Sequence, residues 1–287
     1  MDIIQSLKQL RTKYIVYSNA IEDMCLIQDL KIHMFKCLPA IDPRSALYYA
    51  TGIAAQNQEP VVCIVNSSNE SRSVFSGMTE AYYRKLPIIL ITIGRELDYS
   101  TELRDVVSNH FVVSENDDLS VILKNDFPIH IELQTNCLEF DKIECSELQH
   151  VLGQILDDDY YLLISDGIEL IETDFKCKIV KDRMPNCYEG ALANVLGASL
   201  ARIRKRYIGL VSKNEFLHDI NTLGNININD RLLFIVVTDR FDQAIDRYSC
   251  SLGFETMIVE CDHEIIEKLT TAVNNENKTV IQYIRRE

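Results

Sequence analysis

No stretch of this 287-residue chain stays apolar for the ~20 residues that a bilayer-spanning helix requires. The start, Met1-Asp2-Ile3-Ile4-Gln5, also lacks the basic-then-apolar pattern of a secretory leader. A cytoplasmic location is expected, with no membrane partner. Positive charge is scarce: 29 Lys and Arg stand against 43 Asp and Glu, a formal charge of -14, so a phosphate backbone would be repelled over most of the surface. Nucleic acid is therefore not an expected partner. The nine cysteines (Cys25, Cys37, Cys63, Cys137, Cys145, Cys177, Cys187, Cys250 and Cys261) contain no C-x-x-C pair, which removes the usual zinc and dithiol arrangements. An odd, scattered set reads as reduced and mostly buried thiols. The acidic run Asp157-Asp158-Asp159 lacks the spaced partners of a calcium loop and reads as a solvated turn.

What is present is the material of a large core. Hydrophobic residues make up 47% of the chain and charged residues 25%, and the length fits one large or two ordinary domains. Short β-branched runs alternate with helical patterns twice over. In the first half, Tyr14–Ser18, Val61–Asn66, Ile88–Ile93 and Ile129–Leu133 predict strands, with helices near 43–56 and 74–85. In the second, Tyr160–Ser165, Tyr207–Val211, Leu232–Thr238, Thr256–Val259 and Thr279–Tyr283 predict strands, with a helix near 188–204. Such alternation predicts an α/β protein of two domains, each a parallel sheet flanked by helices. The expected domains are 1–138 and 159–287, with 139–158 as the linker and the first helix of the second domain.

Local chemistry adds detail. Asp42 before Pro43 reads as an N-cap followed by proline at the first helical position. Ala46, Ala50 and Ala54 on one helix, and Gly190, Ala193, Gly197 and Ala201 on another, recur at spacings that share a face. These small-residue stripes predict close helix contact, between domains or across a dimer, or else packing on the protein's own sheet. His218-Asp219 is adjacent on a helix, where neighbours do not face each other, so a structural role is expected rather than a catalytic dyad. Asn225-Ile226-Asn227-Ile228-Asn229-Asp230 reads as a loop before a buried strand.

Three segments of the first half resemble the pyrimidine-binding domain of thiamine-diphosphate enzymes: Asp42-Pro43-Arg44-Ser45-Ala46 with Thr51-Gly52, then Pro60 through Ser67-Ser68, then Glu80-Ala81-Tyr82-Tyr83. The likeness within that superfamily is to SEPHCHC synthase, a carboligase that joins 2-oxoglutarate to isochorismate, with D-E-R-S-A, T-S-G-T and E-A-Y-Y at those places. Glu215-Phe216-Leu217-His218-Asp219-Ile220-Asn221 resembles the same enzyme's S-F-L-H-D-L-N in the diphosphate-binding domain. The resemblance implies a pyrimidine-type domain followed by a diphosphate-type domain, without the middle domain that separates them in the family. It also implies a homodimer or higher oligomer, or a related partner subunit, because family members bind the cofactor between chains.

The departures from the family pattern fall on the chemistry. Pro43 stands where the family has the glutamate that activates the cofactor, and proline has no acid and no donor. Lys213 stands at a magnesium-binding aspartate, Ser212 and Asn214 at flanking glycines, and Thr238-Asp239 in the region of a second, asparagine ligand. An ammonium cannot ligate magnesium. No catalytic residue, cofactor or metal is therefore expected, with thiamine diphosphate and magnesium as the alternative. Arg44, Ser67, Ser68, Arg183 and Lys213 remain as candidate anion-binding residues, Arg183 matching a family arginine that contacts substrate carboxylate. The sequence also suggests an ion pair of Lys213 with Asp239 in place of the metal. Three readings follow: a degenerate structural, regulatory or ligand-binding protein; a 2-oxoacid decarboxylase or carboligase with an atypical site; or a metal-independent enzyme that re-uses the cleft for another anion.

Overall fold

Runs of valine, isoleucine and leucine too short for helices form two sheets in which every pairing is parallel. The structure, a computed structural model, describes residues 3–21, 25–66, 70–94, 100–114, 117, 126–134, 142–171, 174–181, 189–202, 204–225, 228–260 and 265–285. It divides into two units, Met1–Glu139 and Phe140–Glu287, each built around its own sheet.

The first unit runs α1 (Ile3–Gln9), β1 (Tyr14–Ser18), α2 (Cys25–Ile32), β2 (Lys36–Ala40), α3 (Pro43–Asn57), β3 (Val61–Asn66), α4 (Glu70–Ser73), α5 (Phe75–Tyr83), β4 (Ile88–Gly94), β5 (Asn109–Ser114) and β6 (Ile129–Gln134). The second runs α6 (Ser146–Ile155), β7 (Tyr160–Ile164), β8 (Lys178–Lys181), α7 (Ala191–Ala201), β9 (Arg206–Ser212), α8 (Lys213–His218), β10 (Leu232–Thr238), α9 (Gln243–Ser251), β11 (Glu255–Glu260), α10 (Ile265–Asn274) and β12 (Thr279–Ile284). The spatial orders are β2-β1-β3-β4-β6-β5 and β11-β12-β10-β9-β7-β8. Counted along each unit and read from the matching edge, both give the order 2-1-3-4-6-5.

Centre and edge strands differ as burial requires. β3, β4, β9 and β10 are buried at every position, so they read as unbroken apolar runs. The outer strands β2, β5 and β8 escaped the sequence reading because each pairs on one side only and mixes polar residues into short segments. Pro39 is tolerated in β2 because that strand is at a sheet edge, where a missing N–H breaks no second ladder.

The two stripes of small residues met different fates. Ala46, Ala50 and Ala54 are fully buried and pack with Val61, Cys63, Val65, Ile88 and Leu90 of the same unit. The expectation of an intermolecular face on α3 is thus corrected for that stripe, because the sheet beneath the helix takes it. On α7, by contrast, Ala191, Leu192, Val195 and Leu196 face inward, while Ala193, Gly197 and Ala201 are exposed within the unit. A β-carbon built at Gly197 meets nothing within 4 Å. Gly190 does separate work, since it precedes α7 with φ 94, a conformation that glycine adopts without steric cost.

Candidate functional site

Two strand-to-helix turns carry the positions that the sequence singled out. In the first unit, β2 leads into α3 through Asp42, whose carboxylate accepts from the Ser45 N–H at 2.8 Å and from the Ser45 hydroxyl at 2.6 Å. Pro43 is buried at the first helical position, where its missing N–H is one that a helix leaves unpaired anyway. Arg44 points outward, 60% exposed, with Nε 4.0 Å from Asp42. Ser67 and Ser68 lie outside the described residues, as does Arg183.

In the second unit, β9 leads into α8 through Ser212. The Ser212 hydroxyl accepts from the Glu215 N–H at 3.2 Å, and Glu215 Oε2 accepts from the Ser212 N–H at 2.8 Å, a reciprocal capping box. Glu215 does more than cap. It is 1% exposed, and its carboxylate also accepts from the Gly167 N–H at 2.8 Å and, through a short hydrogen bond, from the Ser165 hydroxyl just past β7. A β-carbon at Gly167 would come within 2.8 Å of Glu215 Oε2, so a side chain there would force the carboxylate out. The donors of two neighbouring strand ends, β7 and β9, thus converge on one internal anion at the carboxyl edge of the sheet. The sequence pattern Ser212-x-x-Glu215 announces the cap, but Ser165 and Gly167, far earlier in the chain, were not legible as its partners.

Lys213 departs from the expected pairing. Its ammonium lies 2.6 Å from Asp242 Oδ2, whereas Asp239 Oδ1 accepts from Arg285 Nε at 2.6 Å. The sequence-based pairing of Lys213 with Asp239 is therefore corrected. Asp239 follows β10, whose other neighbour is β12, and Arg285 at the end of β12 takes it; the turn into α9 brings Asp242 to Lys213. Asp242 is the N-cap of α9 and accepts from Ala244 N–H at 2.8 Å. Burial would raise its carboxyl, but Lys213 and the helix N–H groups outweigh that and hold it below its usual value. The Thr238 hydroxyl is engaged with the backbone of Arg240, as donor to its carbonyl at 2.5 Å and acceptor from its N–H at 3.2 Å.

Asp219 turns to α7, accepting from the Ala193 N–H at 3.1 Å. Burial raises its carboxyl, opposed by bonds from the N–H groups of Ala193, Gly190 and Leu192. An anion at a helix start suits both the unpaired donors and the helix dipole. Asp219 is thus committed to anchoring α7.

Elsewhere, the first sheet buries a polar cluster. His130 on β6 bonds the Thr92 hydroxyl at 2.9 Å, its ring centroid is 4.9 Å from that of His110 on β5, and His110 Nε2 lies 3.9 Å from Glu132. Among the described residues no group of three or more His, Cys, Asp or Glu side chains could hold a metal ion. The described cysteines are free thiols: Cys63, Cys145 and Cys177 are buried, Cys37 is half-buried, and Cys25 and Cys250 are exposed, while Cys137, Cys187 and Cys261 lie outside the described residues. Burial pushes the Cys177 thiol up to about 11, which makes it a poor nucleophile at neutral pH.

Residues 2–118 match the family of thiamine pyrophosphate enzymes, N-terminal TPP binding domain. The chain is similar to thiamine-diphosphate enzymes. Its curated relatives include 2-succinyl-5-enolpyruvyl-6-hydroxy-3-cyclohexene-1-carboxylate synthase of Flavobacterium johnsoniae, 29% identical over 112 residues, or 37% of this chain and 20% of that protein. The synthase of the same name from Bacillus pumilus is 34% identical over 79 residues, or 28% of this chain and 12% of that protein. The matches thus span a fifth or less of these relatives' lengths. A solved structure from Mycobacterium smegmatis, of a candidate thiamin diphosphate-dependent enzyme, covers 99% of this chain and 98% of its own at 10% identity and a TM-score of 0.41. Likeness at that level adds nothing to the thiamine-diphosphate-type reading, which rests on the sequence matches and the two parallel sheets. Among the described residues no helix is long and apolar enough to cross a membrane.

Proposed function

We propose that this chain is a degenerate member of the thiamine-diphosphate-enzyme fold that neither binds nor activates the cofactor by the family's route, and that it serves a structural, regulatory or ligand-binding role in the cytoplasm. The observation that carries this reading is the turn after β9. There an ammonium stands at the metal-ligand position, paired with Asp242, while the buried Glu215 carboxylate takes the N–H groups of Ser212 and Gly167. A diphosphate brought to this turn would meet a buried negative charge, and a magnesium ion would meet a cation. Pro43 supports the reading from the first unit, since it offers no acid to a bound ring. The residues present do not fit thiamine diphosphate and magnesium.

Calorimetric titration of the full chain with thiamine diphosphate and magnesium tests this. No binding tighter than about 10 μM, roughly 7 kcal/mol, is the predicted outcome. A tighter, magnesium-dependent constant would favour the carboligase reading with an atypical site.

A homodimer, or pairing with a related subunit, belongs to the same proposal. The exposed Ala193, Gly197 and Ala201 face of α7, with Leu200 beside it at 56% exposure, supports it as a surface suited to close helix approach. Gly197→Leu should leave the unit folded, because that position faces open space, and should dissociate the assembly in light scattering. A monomeric wild-type chain at micromolar concentration would defeat the assembly proposal.

A further inference from the structure

The second unit has a cavity of about 910 Å3 at the amino edge of its sheet, the opposite end of β9 from Glu215. That volume falls within the ~300–1,000 Å3 of small-molecule sites. Arg202, Lys205, Arg206 and Arg231 line it, with Asp230 and Glu276 as the lining carboxylates. Beyond the lining, Asp157 and Asp159 act on Lys205 and Glu255 acts on Arg206 through space, which leaves Arg202 and Arg231 as the exposed cations of the rim. Among the described residues, none of these four cations has a carboxylate within ion-pair distance.

Arg206 gives the cavity its floor. It is 2% exposed, and its Nη1 donates to the carbonyl oxygens of Asp230 at 3.1 Å, Asn275 at 2.6 Å and Asn277 at 2.8 Å. Nη2 donates to the Thr279 hydroxyl at 3.2 Å, and Nε has no partner. All these acceptors are neutral, so the guanidinium ties the loop before β10 to the loop between α10 and β12 with no carboxylate in contact, Glu255 and Asp230 acting on it only at longer range. Burial pushes it down to about 10, still protonated at neutral pH. A buried cation with no paired carboxylate is costly to hold, and an anion arriving in the cavity would relieve that cost. Leu200 and Val273 add apolar lining.

We propose that this cavity binds a small organic phosphate, its dianionic group met by Arg202 and Arg231 above the buried charge of Arg206, with an apolar moiety against Leu200; Lys205 stays on the Tyr160 ring, 4.9 Å from its centroid. Arginine's planar donors suit phosphate oxygens, and the two rim arginines with the buried Nε of Arg206 supply them. The proposal concerns the amino edge alone, so it stands or falls separately from the reading of the turn after β9.

Calorimetric titration of the full chain with phenyl phosphate, and in parallel with benzoate, decides it. Saturable binding of phenyl phosphate, at least about tenfold tighter than benzoate, is the outcome that supports it. The Arg202→Gln/Arg231→Gln variant, altered only at exposed rim positions, should weaken that binding by at least about tenfold, and Lys8→Gln in the first unit should leave it unchanged. No saturable heat in the millimolar range overturns the site. Undiminished binding by the rim double variant, or equal loss with Lys8→Gln, places the anion elsewhere and overturns it too. Benzoate binding as well as phenyl phosphate overturns the assignment to phosphate.

Discussion

Asp42 and Ser212 each cap a helix that leaves the carboxyl end of a parallel strand, yet the two turns are held differently. The Asp42 carboxylate serves its own turn, through the Ser45 N–H and hydroxyl. The Ser212 turn is completed by Glu215, which reaches across to Ser165 and Gly167 beside the neighbouring strand. The first cap is a local device and the second a tertiary one. A local cap can be lost with little consequence beyond its helix, whereas the second holds two strand ends together and fills the ground between them with negative charge. The fold tolerates such differences because its stability lies elsewhere: the fully buried leucines and isoleucines of the four core clusters contribute ~1.5–3 kcal/mol each, whatever the edge loops carry.

Glu215→Ala is the strongest way to break this comparison. It strands the Gly167 and Ser212 N–H groups and the Ser165 hydroxyl, and hydrogen bonds to a buried carboxylate contribute ~1.5–3 kcal/mol apiece. A loss of about 4 kcal/mol in urea unfolding is predicted, allowing for partial relaxation. A loss no larger than that of Asp42→Ala would erase the distinction between local and tertiary caps.

Acid should separate the two units next. Burial, and then the neighbouring His110, pushes His130 in the first sheet down to about 3. The unfolded histidine titrates near 6.5, so between those values the unfolded chain binds more protons and stability rises with pH. The contribution is complete above about pH 6.5 and declines as pH falls towards 3. At pH 4.5 this group should cost roughly 3 kcal/mol. His130→Gln, which cannot charge and can still bond Thr92, should lose that much less between pH 7 and pH 4.5 than wild type. Identical acid sensitivity of the two proteins would remove His130 as the cause.

Smaller effects sharpen the same contrast. Asp42→Ala should cost about 1 kcal/mol, the usual value of a single N-cap, and should shift the urea midpoint accordingly. Lys213 and Asp242 are 33% and 19% exposed, so their pairing is screened, and a double-mutant cycle with Lys213→Gln and Asp242→Asn should give a coupling of about 1 kcal/mol or less. A coupling of several kcal/mol would make that pair a structural replacement for a metal rather than a surface contact.

The legible parts of the fold were those whose signal is local. β1, β3 and β10 fall on the residues that their β-branched runs predicted, and Asp42-Pro43 announced the start of α3. β8, with only Lys178-Ile179-Val180-Lys181, gave no such signal, because an edge strand four residues long needs its neighbour to form. At the candidate site the sequence points to Ser212 and Lys213 but suggests Asp239 as the partner of Lys213, where the structure has Asp242. The choice between Asp239 and Asp242 depends on where the α9 turn lands and on Arg285 arriving from β12, and neither is encoded in local spacing.

By itself the sequence determined the class: alternating apolar runs compel parallel strands covered by helices, and an excess of acid sets the charge of the surface. It also determined which chemical groups are available, since a proline and a lysine stand where the resemblance calls for acid and metal ligand. Only the tertiary structure decided how those groups are spent. Parallel strands bring together ends that lie far apart in the chain, so the partners of Glu215 and the four cations around the amino-edge cavity are set by strand order and register rather than by neighbourhood in sequence.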